Sequence, residues 1–226
     1  MTVTTFYPDQ LPDTGPANTS VDGHAGRDSA GEGWAAQRDG AGTASADAGA
    51  QPRFGIGTNG SSVWQSCYRS FLLFDTSSIG SDTIDSATME IVAIGRVNDF
   101  SVGQSASMVQ STPATNTALV NADYNQANWP ANTKQATDKT LASFTVDSDT
   151  YNIFTLTVLT NISKTGVTKF GLRITADNDD LEPTVGASKT AQIEWASAEE
   201  NLPIGDRRPK LVVTHTATFV PRAVVF

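Results

Sequence analysis

Along Asn152–Val158 apolar and polar residues alternate, with one break at Ile153. Phe154, Leu156 and Val158 fall on one face of an extended chain, and Thr155 and Thr157 fall on the other. Phe170, Leu172 and Ile174 repeat the pattern against Lys169, Gly171, Arg173 and Thr175. A period of two marks strands, because one face of an α-helix needs a period of about 3.6. Two further runs, Tyr68–Asp75 and Ala87–Ile94, are apolar on both faces, as central sandwich strands are. Between them Asp75-Thr76-Ser77-Ser78-Ile79-Gly80 carries turn chemistry. No amphipathic helical pattern in the chain lasts three turns.

The remaining segments fit the same reading. Val3–Tyr7 is predicted as a first strand stopped by Pro8, and Val21–Arg27 as a second. Short strands are expected at Trp34–Arg38 and Arg53–Ile56, with a loop around Gly40–Gly49. Ser107–Ser111, Leu141–Val146, Gln192–Ala196 and Lys210–Thr216 complete the set, and Asn121–Trp129 suits a single helical turn before Pro130. The total is about ten short strands separated by turn signals, which predicts an all-β, jelly-roll-like antiparallel β-sandwich. Residues 1–216 are read as one domain, with long Gly/Ala-rich loops within 28–62, and residues 217–226 as an apolar C-terminal arm.

Composition narrows the function. The chain has 226 residues, 38% of them hydrophobic, which suits one large β domain without metal or disulfide staples. Charged residues are only 17% and the net charge is −9, so nucleic acid, which needs a basic stripe, is not an expected partner. Neither is an anionic membrane surface, and no apolar run approaches the roughly 18 residues of a membrane span. The N-terminus lacks the basic and apolar regions of an export signal, while the low-charge, Thr/Ser/Asn-rich composition looks exterior. Virion proteins reconcile the two, since they leave the cell by lysis; a trimmed expressed chain does so too.

Chemistry-bearing residues are sparse. The single cysteine, Cys67, lies in an apolar run and reads as a core residue. Only His24 and His215 are available as bases, no Gly-x-Ser-x-Gly elbow is present, and Cys and His show no zinc spacing, so no catalytic centre is expected. Gly55-Ile56-Gly57-Thr58-Asn59-Gly60 matches the dinucleotide glycine pattern but lacks a following helix. No cofactor is required. The best place for a structural Ca²⁺ is the acidic loop holding Asp177, Asp179 and Asp180, near Glu182, with Glu199 a second contributor and Asp22 a weaker one. Trp34, Trp64, Trp129 and Trp195 are either packing residues or a platform for stacking sugars. Glu90 and Glu194, both within strands, read as surface carboxylates.

The stretch Tyr68-Arg69-Ser70-Phe71-Leu72-Leu73-Phe74-Asp75-Thr76-Ser77-Ser78-Ile79, followed by Ile84-Asp85-Ser86-Ala87-Thr88-Met89-Glu90-Ile91, resembles the DNRLRE-type β-sandwich modules. Lys169-Phe170-Gly171-Leu172-Arg173 and the closing Arg208-Pro209-Lys210-Leu211-Val212-Val213-Thr214 extend the similarity over nearly the whole chain. The resemblance implies a jelly-roll sandwich of the kind found in adhesins, carbohydrate-binding modules and bacteriophage structural proteins. The opening Thr5-Phe6-Tyr7-Pro8 with Val21-Asp22-Gly23 and Trp34 looks like the phage variety.

The expectation is therefore a non-enzymatic protein of the virion surface (capsid decoration, head fibre or tail-associated subunit) whose partners are other virion subunits or copies of itself. The alternatives are a carbohydrate-binding or adhesin module of a cell-surface protein that binds a glycan, and a polysaccharide-degrading sandwich. The apolar load of the tail, Phe219, Val220, Val224, Val225 and Phe226, is expected to dock on a neighbouring subunit.

Overall fold

In the computed structural model, residues 1–10, 19–49, 51–130, 133–146, 149–200 and 206–218 are described. The tail residues Phe219, Val220, Val224, Val225 and Phe226 lie outside them. The two-faced apolar run becomes the strand β5 (Trp64–Asp75), with Phe71, Leu72, Leu73 and Phe74 all fully buried. In chain order it is preceded by β1 (Thr2–Phe6), β2 (Asp22–Glu32), the helix α1 (Trp34–Asp39), β3 (Ala44–Ala46) and β4 (Arg53–Thr58). It is followed by β6 (Thr83–Ile91), β7 (Ala93–Asn98), β8 (Ser105–Gln110), β9 (Lys139–Thr140) and β10 (Asn152–Thr155). Then come β11 (Val167–Ile174), the helix α2 (Thr175–Asp179), β12 (Thr190–Trp195) and β13 (Lys210–Thr216).

The strands form two antiparallel sheets. The smaller has the order β1-β13-β6-β10; the larger runs β7-β12-β4-β5-β11-β8-β9, with β2 also paired to β5 and β3 to β2. β5 meets β4 through Trp64–Tyr68, β11 through Ser70–Asp75, and β2 through Trp64–Leu72. A strand has only two edges, so β4 and β11 share one edge of β5 and give way to each other at Arg69. This is the all-β sandwich read from the alternation.

Register explains why the small sheet packs. Phe6, Leu211, Met89 and Phe154 form one cross-strand row, and every member is buried. The next row, Thr5, Val212, Thr88 and Thr155, faces outward. Phe144 bridges the sheets, with ring centroids 6.1 Å from Phe154 and 6.4 Å from Phe54 on β4. Each such buried side chain contributes about 1.5–3 kcal/mol.

Several local expectations give way to tertiary structure. Trp34–Arg38 is helical rather than a strand: Trp34, Gln37 and Arg38 sit at i, i+3 and i+4 and form its buried face. Leu141–Val146 is not a strand either. Leu141–Ser143 forms a 3₁₀ turn, closed by the Ser143 hydroxyl donating to the Thr140 carbonyl at 2.7 Å, and it delivers Phe144 to the core. The run Ala87–Ile94 is two strands, because β6 belongs to the small sheet and β7 to the large one, with buried Val92 at the crossover. The helical turn near Asn121 is present as two short 3₁₀ turns, Asn121–Tyr124 and Gln126–Asn128. The β5–β6 turn stands where expected, and Gly80, at φ 60° and ψ −122°, takes a conformation that disfavours any other residue.

Candidate functional site

The acidic segment proposed for Ca²⁺ is not a free loop. Thr175–Asp179 is the helix α2, ended by Asp180 in a left-handed conformation. Asp177 points inward and is fully buried. Its carboxylate accepts two hydrogen bonds from Arg69 (2.9 and 2.7 Å) and two from Arg173 (2.7 and 2.8 Å), both guanidiniums also fully buried. Burial alone would raise the Asp177 pKa, but the Arg173 and Arg69 guanidiniums outweigh it and hold the carboxyl well below the usual carboxylate range. Asp179 accepts from Lys134 at 2.8 Å, and Asp180 from the Trp34 indole at 3.2 Å. Arg38 also lies 3.9 Å from Asp177 and 3.5 Å from Asp180, so all three carboxylates are engaged by the protein's own cations and N–H donors rather than set around a shared space for a cation. Among the described residues no three His, Cys, Asp or Glu side chains cluster as metal ligands.

The excess positive charge at this centre is met by carbonyls and rings. Arg69 also donates to the carbonyls of Tyr124 and Arg38, and Arg38 donates to the Asp177 carbonyl at 2.9 Å. The Tyr124 ring lies 4.1 Å from the Arg69 guanidinium, and Trp129 lies 5.3 Å from that of Arg173. The network ties β5, β11, α1 and α2 together. Its signal in the sequence was an arginine inside each of two apolar strands, which is costly unless paired.

The tryptophans are packing residues and not a sugar platform. Trp34, Trp64 and Trp129 are only 7, 1 and 3% exposed, and Trp195 is fully buried. Trp64 stacks on Phe100 at 5.9 Å and lies 4.7 Å from Trp34, so their faces are already covered by protein. Cys67 is a buried free thiol, pushed up to about 12 by burial first and the nearby Asp177 charge second. Gly55 and Gly57 are part of β4, and the chain continues into a turn rather than a helix. Glu90 pairs with Lys210 at 3.3 Å, and Glu194 accepts from Gln192 at 2.9 Å.

One arrangement has the distances of a nucleophile, base and orienter. His215 Nε2 is 2.9 Å from the Thr4 hydroxyl, and His215 Nδ1 is 2.7 Å from Asp82. Acyl transfer needs in addition oxyanion donors about 3 Å from the reacting atom and a cleft that admits substrate. Here the imidazole is 7% exposed, and the surface grooves described for the fold are lined by other residues. What the arrangement does is clamp the edge strand β1 and the strand β13 to the turn before β6.

Two surfaces remain as candidates. The first is the outer face of the small sheet. Val3, Thr214 and Ser86 form one row, and Thr5, Val212, Thr88 and Thr155 form the next. Lys210, Glu90 and Ile153 form a third, and their ion pair is the charge on this face. Val3 is 64% and Ile153 50% exposed. β1 lies at the edge of the sheet and carries Thr-Val-Thr-Thr-Phe, with no charge or proline to block further strand pairing. The second surface is an open groove of about 360 Å³ between residues 100–105 and 181–184. Phe100, Val102 and Leu181 supply its apolar wall, and Gln104, Thr175 and Glu182 its polar groups. Glu182 is held there by the Trp64 indole at 2.7 Å.

These features define an antiparallel β-sandwich module with one weakly charged sheet face and one open groove. A scan against protein-family models and a search of curated proteins find no match to the chain.

Proposed function

We propose that the chain is a structural subunit of a virion surface, a capsid decoration, head-fibre or tail-associated protein, acting through protein–protein contacts rather than catalysis. The observation that carries the reading is the small sheet: a weakly charged, Thr/Val/Ser-rich face ending in an edge strand, β1, that no other described strand covers. Soluble monomers ordinarily blunt such an edge with lysine, proline or a bulge, and an edge left open suits strand addition by a partner. The likeness of the Tyr68–Ile91 stretch to DNRLRE-type modules, and of Thr5-Phe6-Tyr7-Pro8, Val21-Asp22-Gly23 and Trp34 to their phage variety, supports the same reading. Gold-labelled antibody against the purified protein, applied to intact particles, should decorate a fixed position on them. Particles that carry none of the protein would overturn the proposal.

The groove favours a second reading, a glycan-binding module, because it combines an apolar wall with amide, hydroxyl and carboxylate groups. In that case oligosaccharide titration should shift the amide resonances of residues 100–105 and 181–184 and leave the small sheet untouched.

A further inference from the structure

We propose that an open groove between β6 and the 3₁₀ turn Leu159–Asn161 seats the chain's own C-terminal segment, residues 219–226, with Phe219 as its anchor. The groove holds about 360 Å³ and is lined by Thr83, Ile84, Leu159, Thr160, Ile162 and Lys164. Ile162 belongs to the hydrophobic core and Ile84 and Leu159 pack against it, so the groove has an apolar floor. A cavity of about 150 Å³ already accommodates benzene, so an aromatic side chain and an aliphatic neighbour fit here. The groove also borders backbone that is covered on one side only. β13 pairs with β6 from Thr83 to Glu90, whereas β10 begins opposite Thr88. The Leu156 amide adds one bond to the Ala87 carbonyl, at 3.0 Å, before the chain runs on to Leu159. Among the described residues no strand pairs with residues 83–86 on that side. An extended segment laid there finds backbone groups to bond as well as an apolar wall.

The path of the chain names the occupant. β13 reaches Thr216 opposite Thr83, and the Thr218 hydroxyl donates to the Ser81 carbonyl at 2.7 Å. The next carbonyl, that of Asp82, accepts from the Lys164 ammonium at 2.9 Å, and Lys164 forms the rim of the groove. Thr218 is thus fixed two residues short of the groove wall at Thr83, a step of about 7 Å. The residues that follow are Phe219 and Val220. Eight extended residues reach up to about 26 Å, so the segment 219–226 spans that step with length to spare. Arg222, its one ionisable side chain, matches the carboxylates of Asp82 and Asp85 beside the exit. Pro221 limits how far strand pairing can run past the anchor. A tethered segment acts at an effective concentration in the millimolar range, which favours it over the tail of a second copy. The tail expected from the sequence to reach a neighbouring subunit therefore has a nearer seat on its own domain.

The experiment compares the whole chain, labelled at its Ile, Leu and Val methyls, with Phe219→Ser by NMR. A seated Phe219 ring displaces the methyl signals of Ile84, Leu159 and Ile162, so these should move in the variant. Those of Val3, Val102 and Leu181, on the two other surfaces, should stay. Phe219→Ser should also lower the Tm by about 2–6 °C. Phe219→Leu keeps the apolar bulk without the ring, so it should lose the methyl displacement and hold most of the Tm. Groove signals unchanged in both variants would overturn the proposal, and so would changes confined to Val102 and Leu181. Mixing labelled Phe219→Ser with unlabelled wild type separates the two sources of the tail. Signals that keep their variant positions are expected; signals that return to wild-type positions would give the groove to a second copy and overturn it.

Discussion

At the residue scale, Asp177 is the side chain whose loss the fold can least absorb. Replacing it by Asn leaves two buried guanidiniums without their charge partner and turns an amide donor toward one of them. Breaking a buried pair in this way costs about 3–5 kcal/mol. Asp177→Asn should therefore lower the urea midpoint by that free energy with little change in slope. His24 gives a pH signature of opposite origin. Burial first, and the Arg53 cation second, lower its pKa from 6.5 to about 4, while Asp28 pulls the other way. Tyr68, edge-on to the imidazole at 5.4 Å, is itself bonded to Asp28. Since the unfolded chain binds the proton more tightly, His24 contributes full stability above pH 6.5. That contribution falls as the pH drops toward 4 and amounts to no more than about 3 kcal/mol. The stability difference between wild type and His24→Gln, measured from pH 4 to 7, should change across that window. Taking the difference removes the opposing titration of Asp22, whose pKa burial first and the Glu199 charge second raise well above its ordinary value. A flat difference would show that His24 titrates alike in both states.

At the element scale, β1 is the piece most exposed to a partner. Among the described strands it pairs only with β13, and Val3 projects from the outer face. Val3→Lys places a charge on the edge without touching the core row through Phe6. It should leave the Tm within about 1–2 °C of wild type, since exposed substitutions are worth no more than about 0.5 kcal/mol. Self-association in sedimentation velocity, or binding to particles lacking the protein, should fall at least several-fold. Unchanged association would direct attention to the groove instead. The contrast with α1 is instructive. Trp34-Ala35-Ala36-Gln37-Arg38 has a strand-like length and an aromatic start, so its helix was not legible from spacing in so short a segment. The helix forms because its one buried face meets β5 and the Asp177 carbonyl.

At the scale of the whole molecule, period-two alternation and turn chemistry determined by themselves that the chain is an antiparallel sandwich. Those signals are local, and burial rewards them in the same way in any sheet. They placed β13 at its observed bounds and β5, β11 and β12 close to theirs. They also gave the buried Cys67, whereas the need of Arg69 and Arg173 for a buried partner was not read from them. Which sheet each strand joins was decided only by tertiary structure, as the division of Ala87–Ile94 between two sheets demonstrates. The same holds for the site residues. Asp177, Asp179 and Asp180 are neighbours in sequence, but a helix turns their side chains toward Arg69, Lys134 and Trp34. Asp22 and Glu199 stand far apart in sequence, yet the fold brings the charge of Glu199 to bear on Asp22. Local charge density could not distinguish the two groups, because a carboxylate's role depends on which donors the fold brings to it, and those come from distant strands.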